Sequence, residues 1–166
     1  MKKVISIIAI VLVVLIGVGF AVRETVFPIK DKKIIEQYAK EYNVKPELIA
    51  AIINFETGFD KDKYKDNQAR GLMRITEQTG ERLAKEMGDT SYQKDSFDQN
   101  DTNIKLGTYY LSKSNGKDLK ETVGNWALVN GKDKDPKFDA KKYAEEYYTD
   151  KIKTRETIYK ILYFMI

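Results

Sequence analysis

The sequence predicts a mainly α-helical domain behind an N-terminal membrane-spanning helix. Three observations carry this. An uncharged apolar segment runs from Val4 to Val22, directly after Lys2 and Lys3. Beyond it, apolar residues recur at spacings of three and four, the period of one helix face. No stretch alternates convincingly between apolar and polar residues, and no internal repeat stands out.

At about 1.5 Å per residue the Val4–Val22 segment reaches across a hydrocarbon core of about 30 Å. Its length favours an uncleaved anchor. A secretory signal has a shorter apolar region and a small-x-small cleavage site, for which Gly17 to Ala21 offers only a poor match. The two leading lysines favour an inside N-terminus, so the remainder is expected outside the cell membrane, or secreted if the segment is cleaved. The expected organisation is residues 1–22 as anchor or signal, 23–30 as a linker containing Pro28, and 31–166 as the domain.

Within that domain Ile34, Ile35, Tyr38, Ala39 and Tyr42 form an amphipathic stripe that Asp31 is placed to cap. Pro46 suits the first position of a second helix, where Ile49, Ile52, Ile53 and Glu56 share one face. Thr76 is placed to cap a helix ending near Met87 and Gly88, and Asp101 another holding Ile104, Leu106, Tyr110 and Leu111. Asn115-Gly116 reads as a turn, Leu119 to Val129 as a helix, and the stretch around Pro136 as a charged loop. Helices around Tyr143 and Tyr147 and from Thr154 to Phe164 close the chain. The domain is large enough for a real core.

Composition removes several chemistries. The chain has no cysteine and no histidine, which excludes Cys and His nucleophiles, a Ser-His-Asp triad, and zinc sites built on those ligands. Acid–base work falls to Asp, Glu, Lys or Tyr. The net charge of +4 suits an anionic membrane or wall surface and equally suits ordinary solubility. Nothing points to nucleic acid, and protein partners are not indicated.

The stretch ELIAAIINFETGFD ends an apolar helix face in Glu56. A carboxyl group there loses hydration in its charged form, so its pKa rises. A Glu that stays protonated near neutral pH can protonate a leaving oxygen, as glycosidic cleavage requires. Helical phase by itself favours a Glu that frays into solvent or pairs with a nearby Lys or Arg.

Two further motifs follow in order, QARGLMRIT at 68–76 and DQNDTNIKLGTYYL at 98–111. Together with ETGF they resemble the Slt-type soluble lytic transglycosylase family, whose lysozyme-like domain cuts peptidoglycan glycan strands. Glu56, Thr57 and Phe59 stand on the family's E-S-x-F. Ala69, Gly71, Leu72 and Met73 stand on its G-A-x-G-L-M-Q, and Asn103, Ile104, Gly107, Tyr110 and Leu111 on its N-I-x-x-G-x-x-Y-L. The resemblance covers roughly Lys33 to Trp126, with a weaker echo at KTRETIYKIL.

The resemblance implies one catalytic carboxyl, Glu56, acting first as acid and then as base. The bond cut joins N-acetylmuramic acid to N-acetylglucosamine, and the product is a 1,6-anhydromuramoyl end. It implies no cofactor and no metal, with peptidoglycan glycan strands as the partner and the membrane held through the N-terminal helix. Thr57, Gly71, Met73, Arg74, Tyr110, Trp126 and Asn130 are the candidate substrate-binding residues. Met73 and the GLM backbone are expected to shape the floor beside Glu56, and Gly71 to permit close approach of chain or sugar. Tyr110 reads first as a core aromatic. Trp126 fits stacking on a sugar face or core packing.

Departures fall mostly in the cleft. Arg74 replaces the family's Gln, and is either a contact to the glycan's acidic lactyl group or an exposed loop residue. The family's Y-N-A-G falls within GNWALVNGK. One count places Trp126 and Ala127 on its Tyr and Asn; a compensating gap places Val129 and Asn130 there. The late family Tyr falls on Thr157. Asp60, Asp62 and Asp66 faintly suggest a calcium loop, against which Lys65 and Gly71 occupy its glycine and glutamate positions. Asp66 as a second carboxylate would make a hydrolytic muramidase, and loss of cutting altogether would leave a peptidoglycan-binding module.

Overall fold

A computed structural model describes residues 2–63, 68–114, 116–130 and 138–164. Helix α1 (Lys2–Thr25) is followed by α2 (Lys32–Tyr42) and α3 (Pro46–Glu56). A two-stranded antiparallel hairpin, β1 (Ala69–Arg70) and β2 (Ile75–Thr76), leads into α4 (Glu77–Met87). Then come a 3₁₀ turn (Lys94–Ser96), α5 (Asn100–Ser112), α6 (Leu119–Ala127), α7 (Ala140–Tyr147) and α8 (Thr149–Tyr159), closed by a π-helical turn (Lys160–Phe164). The hairpin was not expected from the sequence, and the mainly α class expected for the domain stands. Two residues per strand are too short to show a period of two in sequence.

Helix α1 is apolar and exposed along its length, a candidate membrane span or signal segment. Residues 23–30, expected as a linker, are docked on the end of the chain. The Tyr163 hydroxyl lies between the carbonyls of Phe27 (2.8 Å) and Arg23 (3.1 Å), and Tyr159 donates to that of Pro28 (2.9 Å).

The core centres on α3, whose Ile49, Ala50, Ala51, Ile52 and Ile53 are fully buried, an apolar run wide enough to be covered on most sides. Helix α8 packs along it through Ile152 and Tyr159. Pro46 occupies the first turn of α3 as expected. Thr76 caps α4 by accepting from the Thr79 N–H (3.2 Å), and Gly88 closes that helix with φ of 70°.

Two expected caps are not caps. Asp31 precedes α2 in a left-handed conformation, and its carboxylate accepts from Asn100 instead (2.7 Å). Helix α5 starts one residue before Asp101, which accepts from the Tyr38 hydroxyl (3.0 Å). In both cases a tertiary partner claims the carboxylate. Helix α6 stops at Ala127, short of Val129, and α8 begins at Thr149, before Thr154. Asn115, Pro136, Lys65 and Asp66 lie outside the described residues.

Candidate active site

Glu56 is the last residue of α3, at the rim of a groove of about 440 Å³. The groove is walled by the hairpin at Ala69 and Arg74, by Trp126, Ala127, Val129 and Asn130 at and just past the end of α6, and by aromatic residues on and flanking α7. The Glu56 side chain keeps 18 % of its surface exposed. Its Oε1 accepts from the Trp126 indole N–H at 2.8 Å, and its Oε2 lies 3.9 Å from the Arg74 guanidinium.

Burial dominates the electrostatics and raises the Glu56 pKa. The Trp126 hydrogen bond and the Arg74 charge pull it back without cancelling the rise. The carbonyl end of α3 is also a poor place for negative charge. Glu56 therefore combines a raised pKa with a place on an open groove, two properties that suit a general acid.

Three tight interlocks hold the residues around it. The segment from Gly71 to Arg74 is the hairpin turn, with Gly71 at φ of 75° and Arg74 at 48°. Asn103, fully buried on α5, accepts from the Met73 N–H (2.7 Å) and donates to the carbonyls of Phe97 (2.8 Å) and Arg70 (3.2 Å). A Cβ on Gly71 would collide with that same Asn103 amide. Met73 in turn fills the space that a side chain on Gly107 would need. The GLM and NIKLG motifs are thus two halves of one joint.

The buried Thr57 hydroxyl lies between the carbonyls of Ile53 (3.1 Å) and Leu72 (2.9 Å), which ties the end of α3 to the turn. On the far side, Asn130 donates to the Arg74 carbonyl (2.8 Å) and accepts from the Thr76 N–H (3.0 Å). Asn130 pinches the hairpin, setting where Arg74 stands relative to Glu56.

Of the candidate substrate contacts, Arg74, Trp126 and Asn130 line the groove with Glu56. Thr57, Gly71, Met73 and Tyr110 do not. Thr57 and Met73 are buried with their bonding and packing satisfied inside the fold. The close approach that Gly71 permits is to Asn103, and this buried glycine otherwise borders a separate polar cleft with Arg70, Asp98 and Gln99. The Tyr110 hydroxyl donates to the Asn125 carbonyl (2.8 Å), and its ring braces Trp126 edge-on at 5.9 Å. These four residues position the site from behind.

Phe55, Phe138, Tyr143 and Tyr148 also line the groove and were missed. Tyr148 reaches Phe55 ring to ring at 5.0 Å, and the Glu56 charge helps raise its pKa, after burial and with Tyr143. The only sequence signal was the density of aromatics around Tyr143 and Tyr147. Among the described residues no cluster of His, Cys, Asp or Glu is arranged to hold a metal.

The family model described as Transglycosylase SLT domain matches residues 33–131, more than half of the chain. No curated protein matches it significantly. The match spans α2 through α6 and includes Glu56, the hairpin, Asn103 and Asn130. On that match the chain belongs to the Transglycosylase SLT domain family, as a mainly α, lysozyme-like domain with lytic transglycosylase-type activity on peptidoglycan at the level of the family.

Proposed function

We propose that the protein is a membrane-anchored peptidoglycan lytic transglycosylase in which Glu56 serves as acid and then as base. The observation that carries this is the Glu56 carboxyl, whose pKa burial raises, placed on a groove in which it is the sole carboxylate among the described lining residues. Two-carboxylate glycosidases place their groups about 5 or about 6.5–9.5 Å apart, and a single carboxyl suits the lyase route.

The steps balance without water. Glu56 gives its proton to the oxygen bridging N-acetylmuramic acid and N-acetylglucosamine, and the bond from C1 to that oxygen breaks. The muramoyl acetamido group shields the electron-poor C1. Glu56, now a carboxylate, takes the proton from the sugar's own C6 hydroxyl as that oxygen bonds to C1, closing the 1,6-anhydro ring. Trp126 keeps the carboxyl aimed through both steps, and its N–H steadies the carboxylate between them. Arg74 supplies positive charge beside the same intermediate. Helix α1 would place this chemistry on the outer face of the membrane.

Digestion of purified peptidoglycan by the full-length protein in detergent, read by mass spectrometry beside Glu56→Gln, tests the reading. Anhydro-ended muropeptides from wild type alone are expected. Reducing-end products would make it a hydrolase. Binding without soluble products from either protein would make it a non-cutting module.

A further inference from the structure

Helix α7 and its flanks carry more exposed aromatic surface than a folded domain needs. Phe138, Tyr143 and Tyr147 are 48 %, 39 % and 58 % exposed. Their rings are not scattered. Starting beside Glu56, Phe55 meets Tyr148 at 5.0 Å, Tyr148 meets Tyr143 at 5.4 Å, and Tyr143 meets Tyr147 at 4.8 Å and Phe138 at 5.4 Å. The path begins inside the groove and ends on open surface. All but its first residue lie beyond 131, outside the stretch matched to the family.

We propose that this run of rings is an outer glycan-binding surface that extends the Glu56 groove along the strand. The inference rests on the groove being a peptidoglycan site. Pyranose rings present apolar C–H faces with hydroxyls at their edges. Tyrosine offers the matching pair, an apolar ring with one polar tip at small entropic cost. A contiguous exposed apolar patch marks an interaction site rather than ordinary surface.

Its occupant follows from continuity. Phe138, Tyr143 and Tyr148 line the same groove as Glu56 and Trp126, so a strand seated at Glu56 leads onto them. The membrane is the weaker candidate. Helix α1 joins the domain through Arg23 and Phe27 on the Tyr163 hydroxyl, at the π-helical turn and not at α7. The added surface would let the protein prefer long strands over short ones, because only long strands reach both the acid and the outer rings.

The test uses the full-length protein carrying Glu56→Gln, so that nothing is cut, in detergent. Peptidoglycan-derived oligosaccharides of four and eight sugars are titrated by calorimetry. The longer probe is expected to bind tighter, and Tyr143→Ala with Tyr147→Ala to weaken it about tenfold, as two lost stacking contacts would. The shorter probe should weaken much less. Tyr143→Phe with Tyr147→Phe keeps the rings and should retain most of the gain. Equal affinity for both lengths, or equal weakening of both by the alanine pair, overturns the outer surface and leaves the groove intact. Loss of vesicle binding in place of glycan binding would assign the rings to lipid and overturn it too. If the Glu56→Gln chain binds neither probe, the glycan reading of the groove falls first and takes the outer surface with it.

Discussion

The indole N–H of Trp126 donates to Glu56 Oε1 at 2.8 Å, joining the end of α6 to the end of α3 across seventy residues of sequence. The bond does two things to the acid. It fixes the carboxyl in the groove, and it favours the charged form against the burial that disfavours it. A general acid that must later act as a base benefits from such a compromise, since neither protonation state is then prohibitively costly.

Trp126→Phe separates these effects. The ring still fills a nearly closed site, but the donor is gone. Glu56 should titrate higher, so the alkaline limb of kcat/KM should move to higher pH. The turnover at the optimum should fall about tenfold, the equivalent of one charge-assisted hydrogen bond of ~1.4 kcal/mol. Arg74→Gln removes the second, weaker pull and should move the limb the same way. An unmoved pH limb with reduced activity would reduce Trp126 to packing.

The acid should also be visible in stability. Glu56 titrates above its ordinary value when folded, while the unfolded chain releases that proton at about pH 4.3. Below that pH both states are protonated and the group contributes no difference. As pH rises toward the folded-state value, the unfolded chain loses its proton first, so stability declines across that window and stays lower above it. Glu56→Gln has no proton to lose and keeps an acceptor for Trp126. Melting temperatures of the two proteins should nearly coincide near pH 4 and diverge in favour of Gln by neutral pH. A gap of constant size at all pH values would mean that Glu56 is not buried in solution as it is here.

Much of this was legible in the sequence because the signals are short-range. Pro46, the apolar face ending in Glu56, and the Thr76 cap with Gly88 each act within one or two helical turns. The failures share a cause as well. Asp31 and Asp101 look like caps until Asn100 and Tyr38 arrive from distant segments to claim them. Thr57, Gly71 and Met73 look like sugar contacts because the motifs holding them surround the acid. Their partners, Leu72, Asn103 and Gly107, turn out to be other motif residues. Motif spacing marks which residues matter and not whether they touch ligand or one another. The rings at 138–148 belong to no motif, and only the fold brings them beside Phe55.

That distinction is measurable at Gly71. Alanine there must tolerate a left-handed φ and meet the Asn103 amide. Gly71→Ala should therefore cost more than about 2 kcal/mol in urea unfolding. Asn103→Ala should cost about 3 kcal/mol, because it strands the Met73 N–H and two carbonyls without their partner. A rise in KM with unchanged stability would instead return Gly71 to the sugar.

The folded unit begins before α2. Residues 23–30 run from the last turn of α1 toward α2, a place where a flexible tether is expected, yet carbonyls there accept from two tyrosines of α8 and the π-helical turn. Phe27 adds an edge-on contact to Tyr159 at 5.9 Å, and the Arg23 guanidinium sits 4.4 Å above the Tyr163 ring. Tyr159 is fully buried, so without the Pro28 carbonyl its hydroxyl proton loses its acceptor. A chain beginning at Asp31 should be less stable than one beginning at Arg23 by about 2–3 kcal/mol, from those hydrogen bonds and the burial of Phe27. Because α8 packs along α3, the loss should propagate to Glu56 and lower activity at elevated temperature before it does so in the cold. Equal urea midpoints for the two chains would show that the segment is a tether after all and that the tyrosine contacts contribute nothing to the fold.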